Sequence, residues 1–131
     1  MIAGRLNILA IDDDPLVLDL VRLYLWDFDV STAVSGGAAL SMLASTHPAL
    51  VLLDVRMPEM DGLQTLQGIR RRPHLASSPV MMLTAAADRP TISQAMEAGA
   101  SGYMLKPFTR HTLMRRVSRF LQRSPDDAVY S

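Results

Sequence analysis

The residues able to do chemistry stand directly after short apolar runs. Asp12, Asp13 and Asp14 follow LNILAI, Asp54 ends LVLLD, Thr84 follows VMML, and Lys106 follows GYML. Lys106 is the only lysine among thirteen basic residues, so an ammonium is used at one place where arginine serves everywhere else. Carboxylates brought together repel and raise one another's pKa, and a divalent cation removes that penalty. A few carboxylates with water and no histidine favour Mg²⁺. Metal, hydroxyl and ammonium can each take one oxygen of a phosphoryl group. Taken singly, the residues have ordinary explanations. An aspartate after a strand caps a helix, which accounts for Asp14; a threonine is ordinary at the end of a strand; a lone lysine snorkels to solvent. Those explanations leave Asp12 and Asp13 unexplained, and a lone acid at Asp54 costs desolvation unless it is paired or metal-bound.

Whether these groups meet depends on the elements that carry them. Leu6–Ile11 reads as a buried strand, and PLVLDLVRLYLW as a helix with Asp14 as N-cap and Pro15 at its first position. FDVSTA is a weaker strand, SGGAALSMLAS a short helix capped by Ser35, and ALVLLDV the most strand-like segment. GLQTLQGIRRR is helical, capped by Asp61 and ending in Arg70, Arg71 and Arg72, where the helix dipole favours cations. VMMLTA is a fourth strand, TISQAMEAGA a helix closed by Gly99, GYML a fifth strand and RHTLMRRVSRFLQR a last helix. Five βα units require parallel strands with right-handed crossovers and helices on both faces. In such a sheet ligands bind beyond the carboxyl ends of the strands, which is where the acids, the hydroxyl and the ammonium all fall.

Composition agrees with one domain. The chain has 131 residues, about half of them apolar, thirteen acidic and thirteen basic residues, and no cysteine. The neutral balance gives no global attraction to nucleic acid or to anionic lipid. The absence of cysteine excludes disulfides and thiolate metal sites. No apolar run approaches the roughly 20 residues that span a bilayer, and the N-terminus meets a triple acid too early for a signal peptide. A soluble, cytoplasmic protein is expected, without direct binding to nucleic acid or membrane.

The motifs ILAIDDDP, LVLLDVRMPEMDG, VMMLTA and GYMLKPF resemble, with their spacing, a response-regulator receiver domain of two-component signalling, of the kind found in chemotaxis regulators. The resemblance implies a flavodoxin-like sheet of order 2-1-3-4-5. Residues 6–123 would be the receiver, 1–5 an extension and 124–131 a tail or linker. It implies that Asp54 is the phosphoacceptor, with Asp12, Asp13, Asp54 and the Arg56 backbone carbonyl holding Mg²⁺. Thr84 would be the switch hydroxyl and Tyr103 the switch aromatic. Lys106 would pair with phosphoryl oxygens and precede a cis proline. In that strand order the fifth strand is two places from the third, so the cation must reach across on a long stem and end compactly, as lysine does and arginine's planar fork does not. The implied partners are a histidine kinase or histidine phosphotransfer protein and a downstream effector, signalling through the face of the fourth helix, fifth strand and fifth helix. A homodimer is a further option.

Arg56 and Ala86 stand two places after the acceptor and the threonine, beside the path of a hydrolytic water. Arg56 is long enough to lie across the phosphoryl oxygens and shield them. In the last helix Leu113, Met114, Val117, Phe120 and Leu121 fall within roughly 120° at 100° per residue, opposite Arg115, Arg116, Arg119 and Arg123. That arginine face is either solvated or a partner surface. His47, His74 and His111 share no metal spacing and read as surface residues. GASGY and TRHTLMRR lack the acids before the tyrosine and the Glu-Leu pair of receivers joined to winged-helix domains. A stand-alone receiver, a receiver cut from a longer regulator and one from a hybrid kinase all remain open. Two other functions compete. Asp12 and Asp14 mimic the paired aspartates of haloacid-dehalogenase-type phosphohydrolases, although no Gly, Thr or Val follows Asp14 and there is no cap domain. A pseudo-receiver that only binds partners is disfavoured by the complete residue set.

Overall fold

The computed structural model describes residues 5–121; the expectations for Arg123, the 124–131 tail and most of the 1–5 extension lie outside them. The described chain alternates β1 (Asn7–Ile11), α1 (Pro15–Tyr24), β2 (Asp29–Ala33), α2 (Gly36–Leu43), β3 (Leu50–Asp54), α3 (Gly62–Arg70), β4 (Val80–Thr84), α4 (Arg89–Glu97), β5 (Gly102–Leu105) and α5 (Arg110–Leu121). The five strands are all parallel and run β2-β1-β3-β4-β5 across the sheet. This is the expected doubly wound order. β1 and β3 are neighbours at its centre, and β4 separates β3 from β5, so Lys106 does reach across one strand.

Side chains alternate between faces along each strand, and here both faces are covered. Leu9, Ile11, Val51, Leu53, Val80 and Met82 pack with Leu43, Leu66, Ile69, Ile92 and Ala95 of α2, α3 and α4. Ile8, Ala10, Leu50, Leu52, Met81, Leu83 and Met104 pack with Leu18, Val21, Leu113, Val117 and Phe120 of α1 and α5. β3 and β4 are buried at every position, which explains why they read as unbroken apolar runs rather than alternating ones.

The local signals behave as their chemistry dictates. Asp14 accepts from the Leu16 backbone N–H, Ser35 from that of Ala38, and Asp61 forms a reciprocal capping box with Gln64. Gly99 follows α4 with φ +104°, the left-handed conformation that favours glycine. Several helix boundaries differ by about two residues from the sequence reading: α2 ends at Leu43 rather than Ser45 and α3 at Arg70 rather than Arg72. α1 stops at Tyr24, leaving Trp26 exposed beyond it, and α4 begins at Arg89, after a 3₁₀ turn over Ala86–Asp88. A second 3₁₀ turn spans Pro73–Leu75. Single turns of this length carry no hydrophobic period by which to find them.

Candidate functional site

The loops after β1, β3, β4 and β5 open on one edge of the sheet. Asp12 follows β1 and is 1% exposed. Its backbone N–H donates to the Ala33 carbonyl, and its Oδ1 accepts from the Asp14 N–H at 2.9 Å. Of the triple acid, Asp14 is spent on capping α1, Asp12 is turned inward and Asp13 stays exposed. Asp54 is the last residue of β3 and 5% exposed. The start of α3 presses on it so closely that a Cβ on Gly62 would lie 2.2 Å from the Asp54 carbonyl oxygen. Glycine is required there by close approach rather than by its torsion angles. Between them the loop passes Glu59 at φ 67°, an uncommon conformation for a residue with a side chain.

Lys106 completes the centre. Its backbone N–H donates to the Thr84 carbonyl at 2.8 Å, tying the end of β5 to that of β4, and its peptide bond to Pro107 is cis. Its Nζ donates to Asp12 Oδ2 at 2.7 Å and to Asp54 Oδ1 at 3.0 Å. One ammonium thus serves two buried carboxylates from two neighbouring strands.

The electrostatics follow from that crowding. Burial pushes the Asp54 carboxyl up to about 6, and the Asp12 charge adds to the rise. The Lys106 hydrogen bond and charge and the Arg56 backbone amide oppose it without cancelling it. For Lys106, burial acts to lower the pKa, but the hydrogen bonds to Asp12 and Asp54 and their charges outweigh it and leave the ammonium raised. Asp54 is therefore the group for which one cation is insufficient. Carboxylate oxygens of Asp12, Asp13 and Asp54 all lie within 4.8 Å of one another. This all-oxygen set, with an excess of negative charge and one member open to water, fits a small hard divalent cation such as Mg²⁺.

Thr84 is 1% exposed, and its Oγ1 donates to the Ala85 carbonyl at 3.0 Å. Tyr103, on β5, is half-buried against the cluster beneath α4. Arg56 lines an open cleft of about 500 Å³ together with Asp13, Met57, Pro58, Asp61 and Thr91. The side chain expected to lie across the phosphoryl oxygens has a partner in another loop. The guanidinium Nε is hydrogen-bonded and ion-paired to Asp88 Oδ1. Asp88 escaped the sequence reading because a lone acid in TAAADRP looks like a helix cap. It stands at the N-cap of α4 yet makes no side-chain capping bond. An acid beside a helix start that needs an opposite charge nearby was the available signal.

The other features stay outside the site. His47, His74 and His111 are exposed, as expected. His47 Nε2 is hydrogen-bonded to Ser78 Oγ, and His74 Nε2 donates to the Leu43 carbonyl, each at 2.9 Å. In α5 the apolar stripe is buried through Leu113, Val117 and Phe120, with Met114 and Leu121 half-buried. Arg115 and Arg119 are exposed, but Arg116 is half-buried and donates to the Tyr103 carbonyl at 3.1 Å. Its helical position, close to that of Phe120, places it on the flank of the packed face rather than opposite it.

Residues 8–118 match the family described as the response regulator receiver domain. Among curated proteins, the chain is 37% identical over 120 residues to the DNA-binding dual master transcriptional regulator RpaA of Synechocystis sp., covering 90% of this chain and 50% of that protein. It is 38% identical over 118 residues to the regulatory protein AtoC of Escherichia coli, covering 88% of this chain and 25% of that one. The chain thus spans half or less of the length of these two relatives. Among solved structures, the chemotaxis protein CheY4 of Vibrio cholerae superposes with a TM-score of 0.84 at 28% identity, covering 89% of this chain and 99% of that one. A response regulator from Chloroflexus aurantiacus gives a TM-score of 0.86 at 33% identity, covering 92% of this chain and all of that one.

Proposed function

Because the chain belongs to the response regulator receiver domain family, we propose that Asp54 is its phosphoacceptor and that the four-loop site makes it a signalling switch. The observation that carries this reading is the Lys106 ammonium held between Asp12 and Asp54. It is the one cation within reach of the acceptor from β5, and it is free to keep two donors on the site while taking a phosphoryl oxygen with the third.

In the reaction, an Asp54 carboxylate oxygen attacks phosphorus. The bond from phosphorus to the donor's imidazole nitrogen breaks, and that nitrogen keeps the electron pair. Asp12, Asp13, Asp54 and the Arg56 backbone carbonyl are the residues that would hold Mg²⁺, which supplies charge neutralisation at the phosphoryl oxygens when bound. Lys106 pairs with one such oxygen. Thr84 exchanges its Ala85 acceptor for another, and the space it leaves lets Tyr103 turn inward. The chain catalyses only its own phosphorylation and dephosphorylation. A haloacid-dehalogenase-type role is not supported, since Asp14 is occupied in capping α1.

The donor is a histidine kinase or a histidine phosphotransfer protein. Leu16, Leu20 and Leu23 on α1 are 70%, 40% and 65% exposed and recur at the spacing of one helical stripe. They continue into an apolar cleft lined by Val17, Leu20, Lys106, Pro107 and Phe108. Since Lys106 lines both the cleft and the site, a donor seated there would present its histidine to Asp54. Output passes through α4, β5 and α5 to an effector domain or protein.

Incubation with acetyl phosphate and Mg²⁺, followed by intact-mass measurement, should add one phosphoryl group to the wild type and none to Asp54→Asn. Labelling that survived this substitution would refute the assignment.

A further inference from the structure

Arg56 and Asp88 belong to different loops, one following the acceptor strand and the other leading into α4. The Arg56 side chain is 78% exposed, whereas that of Asp88 is 7% exposed. The ion pair is therefore lopsided. For Arg56 it is one solvated contact, but for Asp88 it is the only ion pair seen among the described residues, and a buried carboxylate stripped of its cation carries a heavy desolvation penalty. Asp88 has no helix-capping bond that would otherwise satisfy it. Arg56, for its part, lines the same cleft as the proposed metal ligand Asp13. Two residues past Asp54 and on a long side chain, a guanidinium without a partner could reach the path by which water approaches a phosphoryl group on Asp54.

On the reading of Asp54 as phosphoacceptor, we propose that Asp88 is a positioning residue: it holds the Arg56 guanidinium aside and keeps the hydrolytic approach to the phosphoryl group open, so that Asp88 shortens the lifetime of the phosphorylated state. The step concerned is simple hydrolysis. Water oxygen bonds to phosphorus, the bond from phosphorus to Asp54 Oδ breaks with its electron pair returning to the carboxylate, and the water's proton leaves with inorganic phosphate or to solvent. Asp88 prevails over the phosphoryl oxygens because those would have Lys106 and the metal, whereas among the described residues Asp88 has only Arg56 as an ion-pair partner. Ala86, on the other flank, has no side chain with which to replace the shield.

The test is the decay of full-length protein phosphorylated with acetyl phosphate, followed after the donor is removed. Asp88→Asn should slow decay about two- to fivefold, the range open to one solvent-exposed charge contact. Asp88→Glu, which keeps the carboxylate, should restore a decay close to that of the wild type. In an Arg56→Ala background Asp88→Asn should have no effect, which a merely structural role for Asp88 would not produce. Arg56→Ala alone removes the side chain while keeping the backbone carbonyl named above for the metal, and serves as the reference for that background. It also strips buried Asp88 of its cation, so folding is checked by circular dichroism, and its decay should not accelerate by more than about twofold over the wild type. This variant carries the test should Asp88→Asn fail to fold, since an unrestrained, shielding Arg56 requires a clear acceleration. An Asp88→Asn effect that persists without Arg56, an unchanged Asp88→Asn decay, or a marked acceleration by Arg56→Ala overturns the assignment of Asp88. Absence of any phosphoryl group on wild-type Asp54 instead overturns the reading on which it rests.

Discussion

Lys106 Nζ lies 2.7 Å from Asp12 and 3.0 Å from Asp54, so a residue that closes the fifth strand neutralises acids that close the first and third. Arginine at this position would keep the charge but replace a compact, freely rotating donor with a planar fork. Lys106→Arg should therefore fold and accept a phosphoryl group but fail to reach the activated conformation. The tyrosine environment, compared with and without beryllofluoride, is the measurement. A normal change on activation in the variant would remove the explanation for the lone lysine.

Asp54 is raised to about 6 chiefly by burial, and a carboxyl raised on folding makes the folded state less stable once it ionises. Below the ordinary carboxylate pKa of about 3.9 both folded and unfolded chains hold the proton and no penalty exists. As pH rises from about 4 to about 6 the penalty develops, reaching about 2–3 kcal/mol at neutral pH. Asp54→Asn should thus stabilise the metal-free protein by that order at pH 7.5, with the gain vanishing near pH 4. Urea denaturation of both proteins in EDTA checks this, and an equal difference at the two pH values would contradict it.

The three converging carboxylates predict stabilisation by Mg²⁺. A ligand binding only the folded state adds about 2.7 kcal/mol at a hundredfold excess over Kd. Melting temperature should rise with Mg²⁺ for the wild type and far less for Asp13→Asn, which loses the exposed member of the set. A similar rise in both would place the ion elsewhere.

At Gly62 the constraint is steric, since an added Cβ would meet the Asp54 carbonyl oxygen at 2.2 Å. Gly62→Ala should cost about 1–3 kcal/mol of stability, the range for forced overpacking, and should slow phosphorylation by displacing the acceptor strand from α3. Gly37 has no atom within 4 Å of an added Cβ, so Gly37→Ala provides the contrast and should leave both properties nearly unchanged.

Much of this protein was decided by residue type and order along the chain. Five apolar runs separated by amphipathic stretches require a parallel sheet covered on both faces, and every strand end but the second displays its own polar group. Asp14, Ser35 and Asp61 cap their helices through bonds to residues two or three places on, so local sequence contains both partners. Tertiary structure decided what depends on partners distant in the chain. LNILAIDDD does not reveal that Asp12 turns inward while Asp13 stays in water; that follows from the Asp12 contacts with Asp14 and Lys106. Arg116 reads as opposite the apolar stripe but lies over the Tyr103 carbonyl, because β5 passes beneath the flank of α5. Arg56 reads as a side chain long enough to lie across the phosphoryl oxygens, and its guanidinium is bound to Asp88. An ion pair between two loops obeys no period or spacing rule, so only the fold that brings the two loops together can determine it.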